Sequence, residues 1–533
     1  MKPRTRLQNS GPMRRLLVVA AGLVAAAASG AVFAVADAKV DGAVVRTADG
    51  AVRGTVAADH RSFLGIPYAA PPVDDLRWRA PRPAEPWEGI RDATRPGPVC
   101  AQLGGGDAGE RQVIGSEDCL SLNVQTPLGA GAAGRLPVMV FLHGGGFVNG
   151  AGATYNPSRV TVQGQVVSVT VNYRLGALGF LDHPSLKDPQ AGNFGFADQQ
   201  AALRWVRRNI AAFGGDAGNV TLWGQSAGAH SVCAQLAAPG ARGLFHKAIA
   251  QSGPCGNDVL SRPEARRRAV STARDLGCGV GAGTAQCLRR LPYERLTGIG
   301  QEKVFTVHRR VAEMPWLPVA GTPALPLQPP DAMRLGVATR VPLLHGGTKD
   351  EMRPAVAAAY DRLGNPVTAD AYPRILRDMF GPAKAKAILG QYPHDDYPSP
   401  SLALATLLTD YGGMLGACAQ LPAADALVRR APVYLYEFAE PDGRPSDFPY
   451  GAAHGVDVPY FLTTPFQPPP AAGPQKELSA KLIGHWTRFA KTGTPGAGWA
   501  SYKDGSTLQF TAERTRSIDL AAEHNCRFWR AIT

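Results

Sequence analysis

Gly224-Gln225-Ser226-Ala227-Gly228 places a serine between small residues, directly after an apolar run ending at Trp223 and directly before an Ala-rich, helix-compatible segment. A serine hydroxyl is a weak nucleophile until a base removes its proton. A tight turn between strand and helix excludes bulky flanking side chains, strains the serine backbone and lifts the hydroxyl above the sheet edge. The helix N-terminus behind it favours developing negative charge. Alone, the five-residue pattern arises often by chance; the strand–turn–helix setting gives it chemical meaning. A second run, His143-Gly144-Gly145-Gly146-Phe147, follows the apolar stretch Val138–Leu142. Its glycines let backbone N–H groups approach a substrate, and with the N–H of Ala227 they form a candidate pocket for an oxyanion. The plainer reading of this run is a flexible turn, in a chain that holds 61 glycines.

Such a serine needs a histidine as base and a carboxylate to hold that histidine. In this arrangement the acid and then the histidine follow the serine along the chain. Four histidines lie well downstream: His394, His454, His485 and His524. His454 sits in a small-residue loop, Gly451-Ala452-Ala453-His454-Gly455, after the β-type run Val433–Phe438. Loops at strand ends carry catalytic groups. His485 lies in a helical pattern with Leu482, Ile483, Trp486 and Phe489, which reads as packing or surface. The acid is sought in Gly347-Thr348-Lys349-Asp350-Glu351, where spacing leaves Asp350 and Glu351 both open.

The elements that must position these groups are short apolar runs: Val138–Leu142, Val166–Val171, Asn219–Trp223, Lys247–Ala250, Val341–Leu344 and Val433–Phe438. A helical stretch from Asp198 to Phe213 carries Leu203, Val206, Ile210 and Phe213 on one stripe and stops at Gly214-Gly215, as a helix C-terminus should. Strands apolar on both faces, alternating with helices, predict an α/β fold with a mostly parallel sheet between helical layers. Residues 103–111 and the Pro-rich residues 465–475 read as loops, and no internal repeat divides the chain.

The whole sequence has 533 residues, 45% hydrophobic and 19% charged, which excludes a disordered chain. Its formal charge of +13 invites a nucleic-acid hypothesis, but the N-terminus weakens it. Lys2, Arg4, Arg6, Arg14 and Arg15 precede an apolar run, Leu16–Val35, that ends in Ala36-Asp37-Ala38. This reads as a secretory signal peptide over residues 1–38; the alternative is an uncleaved membrane anchor. Removing its five basic residues and Asp37 lowers the charge from +13 to +9, and no basic run in the remainder suggests a nucleic-acid groove. The expected product is secreted, with no stable membrane association after cleavage. Its eight cysteines then favour disulfides, and without a CxxC pair they do not read as a metal site.

Together these motifs resemble the type-B carboxylesterases, the group that includes the cholinesterases. The resemblance runs from Phe63-Leu-Gly-Ile-Pro-Tyr-Ala-Ala-Pro-Pro72 through Glu117-Asp-Cys-Leu-Ser-Leu-Asn123, Asn172-Tyr-Arg-Leu-Gly176 and Phe213-Gly-Gly-Asp216 to Asn525-Cys-Arg-Phe-Trp529. It implies an α/β-hydrolase fold forming one catalytic domain over residues 39–533. It implies hydrolysis of small-molecule carboxylic esters through an acyl-enzyme on Ser226, with His454 as base and Glu351 rather than Asp350 as acid. Gly145, Gly146 and Ala227 are the implied oxyanion donors, Ser252 a supporting buried serine, and no metal or organic cofactor is required. The implied disulfides are Cys100–Cys119, Cys278–Cys287 and Cys418–Cys526; Cys233 and Cys255 remain, as a fourth pair or as two thiols.

Two departures narrow the substrate. Gln225 stands where many relatives carry Glu, and the segment between Cys100 and Cys119 holds no aromatic residue. A quaternary ammonium group is recognised on an aromatic face, so a cholinesterase is disfavoured. The polar Cys100–Cys119 loop also argues mildly against a lipase lid. Polymer or aryl esters remain open as substrates. A serine peptidase, or a non-catalytic binding protein on the same fold, are the readings outside this class; the latter is disfavoured because Ser226, Glu351 and His454 are all present.

Overall fold

The computed structural model describes residues 43–105, 111–130, 134–304 and 306–532, so the proposed signal segment lies outside the described residues. Eleven strands form the main sheet: β1 (Thr55–Val56), β2 (His60–Pro67), β3 (Ser121–Pro127), β4 (Leu136–Leu142), β5 (Val167–Val171), β6 (Gly215–Gln225), β7 (Lys247–Gln251), β8 (Leu343–Thr348), β9 (Val433–Phe438), β10 (Ser506–Phe510) and β11 (Thr515–Asp519). Their order is β11-β10-β9-β8-β7-β6-β4-β5-β3-β2-β1. Pairing is parallel from β5 to β10. It is antiparallel at both edges. The parallel centre is the part that the apolar runs predict.

Strand β4 shows why those runs are apolar on both faces. Successive side chains of a strand point to opposite sides of the sheet. Val138, Val140 and Leu142 join one core with Leu203, Trp205 and Val206 of helix α1 (Phe194–Asn209) and Val232 and Leu236 of helix α2 (Ala227–Ala237). Met139 and Phe141 join the other with Leu482, Ile483, Trp486 and Phe489 of a long C-terminal helix, Gly473–Thr492. The layers are helix, sheet, helix.

Three boundaries differ from expectation, each for a local reason. The helix read as 198–213 begins at Phe194, and its last turn, Ile210–Phe213, tightens to 3-10 geometry before Gly214 in the left-handed region. The segment read as a loop at 103–111 begins inside a strand pair, in which Gln102–Gly104 runs antiparallel to Gln112–Ile114. The Pro-rich loop at 465–475 ends earlier, since Pro474 is accepted in the first turn of the following helix. All eight cysteines are paired, as Cys100–Cys119, Cys233–Cys255, Cys278–Cys287 and Cys418–Cys526. The pair left open by the sequence is therefore a disulfide.

Several motifs hold the frame together. Arg174 is clamped by the buried Asp198, Nε to Oδ2 at 2.8 Å and Nη2 to Oδ1 at 2.7 Å. Arg77 grips Glu117 in the same forked way. His524 is held between two buried carboxylates. Its Nδ1 lies 2.6 Å from Asp410 Oδ1, and its Nε2 meets Glu437 Oε1. Burial alone would lower its pKa, but the two hydrogen bonds and the two negative charges outweigh burial and raise it to about 10. His524 is thus a charged strut between β9 and helix α3 (Pro400–Tyr411).

Removing one member of a buried charged cluster leaves the others uncompensated, which costs about 3–5 kcal/mol. His524→Gln is expected to lower the denaturation midpoint accordingly. Because the folded-state pKa of about 10 exceeds the ordinary 6.5, the stabilisation is complete below the lower value and is lost as pH rises through the upper one. Denaturant melts across that interval should show the wild type losing stability faster than the variant; parallel curves would refute the strut.

Candidate active site

The central parallel strands deliver their C-terminal ends to one edge, where the predicted groups meet. Strand β6 ends at Gln225 and α2 starts at Ala227, so the whole reversal falls on Ser226, with φ 56° and ψ −122°. Its amide donates to the Gln251 carbonyl of the neighbouring strand at 2.8 Å, and its own carbonyl accepts from His230 at 3.0 Å. Gly228 must be glycine. A Cβ there would lie 1.9 Å from the Leu142 carbonyl oxygen at the end of β4. That contact presses the first turn of α2 against the loop His143–Phe147.

Within that loop Gly146 has φ 62°, and a Cβ would meet Val304 at 2.1 Å. A Cβ on Gly144 would lie 3.0 Å from the Cβ of Ser226, which places the glycine run beside the serine. His143 supports the loop from below. It stacks on Tyr173 at 4.4 Å, and burial lowers its pKa to about 4, so it is a neutral packing group. The Cys100–Cys119 segment buttresses the far end, where Gln102 exchanges two hydrogen bonds with the backbone of Gly150.

The geometry distinguishes the two candidate acids. Glu351 is buried; its Oε2 lies 2.6 Å from His454 Nδ1, and its Oε1 accepts from the Thr348 amide at 2.8 Å. Asp350 turns the other way. It pairs with Arg353 at 2.7 Å, and its Oδ2 accepts from the Ala452 amide at 2.8 Å, fastening the histidine loop to the acid loop. A carboxylate only accepts, so His454 carries its proton on Nδ1, and its Nε2 is the accepting nitrogen. That Nε2 is 3.4 Å from the side-chain amide of Gln225, the residue next to Ser226. Burial acts to lower the His454 pKa, but the charge and hydrogen bond of Glu351, aided by Asp457, raise it overall.

The other downstream histidines lie elsewhere. His394 pairs with Asp395, His485 faces the Pro495 carbonyl, and His524 is the strut described above. Ser252 is buried with φ 54°, its amide donates to Gly346, and among the described residues its Oγ has no hydrogen-bond partner, Glu351 and His454 included. Two buried groups of this region escape the sequence reading, Asp457 and His230. His230 is one helical turn beyond Ser226, and burial lowers its pKa to about 4. An acid three residues after a histidine, or a histidine in an Ala-rich helix, carries no pattern that marks it. Among the described residues no cluster fits a metal ion.

Comparison with known proteins decides the family. A sequence profile of the carboxylesterase family matches residues 41–529. The chain belongs to the carboxylesterase family. It is 35% identical over 493 residues to para-nitrobenzyl esterase of Bacillus subtilis (strain 168), covering 89% of this chain and 95% of that one. It is 32% identical to carboxylesterase 4A of Bos taurus, covering 88% and 90%. The solved structure of a PNB esterase superposes with a TM-score of 0.75 at 32% identity, over 91% of this chain and 99% of that one. This carboxylesterase is therefore a carboxylic-ester hydrolase on the α/β-hydrolase fold.

The contact between Gly228 and Leu142 makes a sharp test. Gly228→Ala must push α2 away from β4 and shift Ser226 relative to the glycine loop. A displacement of this order costs about 10²-fold in turnover. The expected result is that loss in p-nitrophenyl acetate hydrolysis with a lowered melting temperature, and near wild-type turnover would contradict the packing.

Proposed function

We propose that Ser226, His454 and Glu351 form the catalytic triad of this carboxylesterase. The observation that carries the reading is the hydrogen bond between Glu351 and His454 Nδ1, with the other imidazole nitrogen turned toward the residue beside Ser226. Ser226 Oγ attacks the ester carbonyl as His454 Nε2 takes its proton. Glu351 holds the ring in the required tautomer and stabilises the imidazolium. The backbone N–H groups of Gly145, Gly146 and Ala227 receive the tetrahedral oxyanion, each contributing roughly 3 kcal/mol in enzymes of this kind. The imidazolium returns the proton to the leaving alcohol, and water releases the acid from the acyl-enzyme by the same steps.

The substrate class we infer is a small uncharged ester. Gln225 contributes an amide rather than a carboxylate beside the site, and the Cys100–Cys119 segment offers no aromatic face to a quaternary ammonium group. The relative named para-nitrobenzyl esterase makes aryl-alkyl esters the first to try. We also infer export, with residues 39–533 as the mature catalytic domain. Four disulfides support an oxidising compartment, and among the described residues no helix is long and apolar enough to cross a membrane.

Three variants test the triad together. Ser226→Ala should lose p-nitrophenyl ester hydrolysis by about 10⁴-fold or more with an unchanged melting temperature. Glu351→Gln should lose about 10⁴-fold, since it reverses the tautomer preference. Asp350→Asn should lose less than about tenfold, because that carboxylate fastens a loop and does not touch the imidazole. Retained turnover in Ser226→Ala, or equal losses at 350 and 351, would defeat the assignment.

A further inference from the structure

The fold assembles a basic surface that no basic run of the sequence marks, because its arginines come from three separate segments. Arg242 follows helix α2, Arg334 lies in the last turn of the helix Pro329–Leu335, and Arg429 and Arg430 follow the helix Leu421–Leu427. These segments lead into β7, β8 and β9, and Arg340 sits just before β8. All five arginines are exposed. They lie where the parallel strands begin, at the end of the sheet opposite Ser226.

Direct contacts hold the three segments together. Arg242 Nη2 donates to the Val337 carbonyl at 2.9 Å, and the Thr339 amide donates to the Leu236 carbonyl of α2 at 2.7 Å. Arg430 Nη1 donates to the Ala426 carbonyl at 3.2 Å, and its guanidinium lies across Gly336, where a Cβ would come within 2.2 Å of Nη2. Arg334, Arg429 and Arg430 border one surface hollow of about 450 Å³ with Asp425.

The charges of this surface are poorly compensated. The carbonyls that Arg242 and Arg430 meet carry no net charge. Asp331 pairs with Arg334 at 2.9 Å, the one ion pair of the patch among the described residues, and Asp425 accepts from the Tyr502 hydroxyl at 3.1 Å. Five guanidinium groups thus face two carboxylates. A guanidinium presents a rigid fork of donors that matches the oxygens of a phosphate. Two apolar side chains stand among these cations, Leu335 and Val337, 55% and 45% exposed on either side of Gly336. A lone exposed apolar side chain is ordinary. A pair among like charges suits a lipid surface, where apolar groups enter the headgroup region and cations meet anionic lipid. A soluble polyanion would engage the arginines and leave both apolar groups in water.

We propose that this end of the sheet is a docking surface for a bilayer containing anionic phospholipid. The arginines meet lipid phosphates, Leu335 and Val337 enter the headgroup region, and the edge that carries Ser226 faces away toward water. The attachment is reversible and weakened by salt, unlike a stable anchor. It requires neither the triad nor a particular ester, so each reading can fail without the other.

The test is cosedimentation of the full chain with vesicles of equal parts phosphatidylcholine and phosphatidylglycerol, beside vesicles of phosphatidylcholine alone. The wild type should sediment with the anionic vesicles only and be released as salt rises beyond about 0.15 M, where screening is already strong. Arg340→Gln with Arg429→Gln should weaken the binding about twenty-five-fold, fivefold for each charge. Leu335→Ser with Val337→Ser should weaken it as well. Turnover of p-nitrophenyl acetate reports the fold and should be unchanged in both. Should the paired arginine change disturb folding, Arg429→Gln alone decides, with a loss of about fivefold expected. Equal binding to neutral vesicles overturns the proposal. So does binding undiminished by the arginine changes, which would place the contact elsewhere, on the N-terminal segment for example. Binding undiminished by the Leu335 and Val337 changes, or capture by soluble polyphosphate without sedimentation on vesicles, would mark a soluble polyanion as the partner and overturn it too.

Discussion

The site depends on one backbone reversal, in which a strand becomes a helix within the single residue Ser226. Its dihedral angles lie where non-glycine residues pay about 1–3 kcal/mol, and such a conformation persists only when its surroundings over-determine it. Three constraints do so here. The Ser226 amide is tied to β7, its carbonyl caps the His230 amide, and the first turn of α2 is wedged against β4 at Gly228. The wedge also sets the position of the glycine loop. Ser226 and the glycine loop are therefore fixed relative to each other by main chain alone, before any side chain is considered.

Side chains then determine what each buried histidine does. His143, His345 and His230 are enclosed without an adjacent carboxylate bond, and burial holds each near a pKa of about 4. His454 has one hydrogen-bonded carboxylate and is raised; His524 has two and is raised further. The same imidazole is thus neutral filler at three positions, a group of raised pKa at His454 and a charged strut at His524. Partner count is the variable; His143, His230, His345 and His524 are buried, and His454 is partly exposed. With two carboxylates the ring would stay charged at neutral pH and act only as a strut.

Local chemistry made the fold and the strand-to-helix turn at Ser226 legible in the sequence. The apolar runs at 138–142 and 433–438 are strands because both their faces are covered, and Gly224–Gly228 reads as a turn because nothing larger fits. The edge strands were not legible: β10 (Ser-Thr-Leu-Gln-Phe) and β11 (Thr-Arg-Ser-Ile-Asp) are short and hold too few apolar residues to stand out as runs. The choice between Asp350 and Glu351 was closed to local reasoning because adjacent residues differ only in which way the chain points them. The bond between Asp350 and the Ala452 amide turns Asp350 away from His454, and its partner lies about a hundred residues away. Asp457 was invisible for the same reason, since its partner, the Gln251 amide, is held by indoles on β6 and on the C-terminal helix.

The disulfides show how a large sheet enzyme keeps its long insertions in place. The parallel sheet fixes where the strands end but not the long connections that leave them. Cys100–Cys119 closes the segment whose Gln102 braces the glycine loop. Cys233–Cys255 joins α2, two turns beyond Ser226, to the connection leaving β7. Cys418–Cys526 ties the segment after α3 to the chain end, next to the His524 strut that bonds Asp410. By the chain-entropy estimate, closing a loop of about a hundred residues stabilises by about 4.7 kcal/mol and one of about fifteen by about 3. Three of the four crosslinks adjoin the turn at Ser226, the glycine loop or the His524 strut. Their arrangement concentrates covalent restraint where irregular chain must stay in register with the ends of the strands.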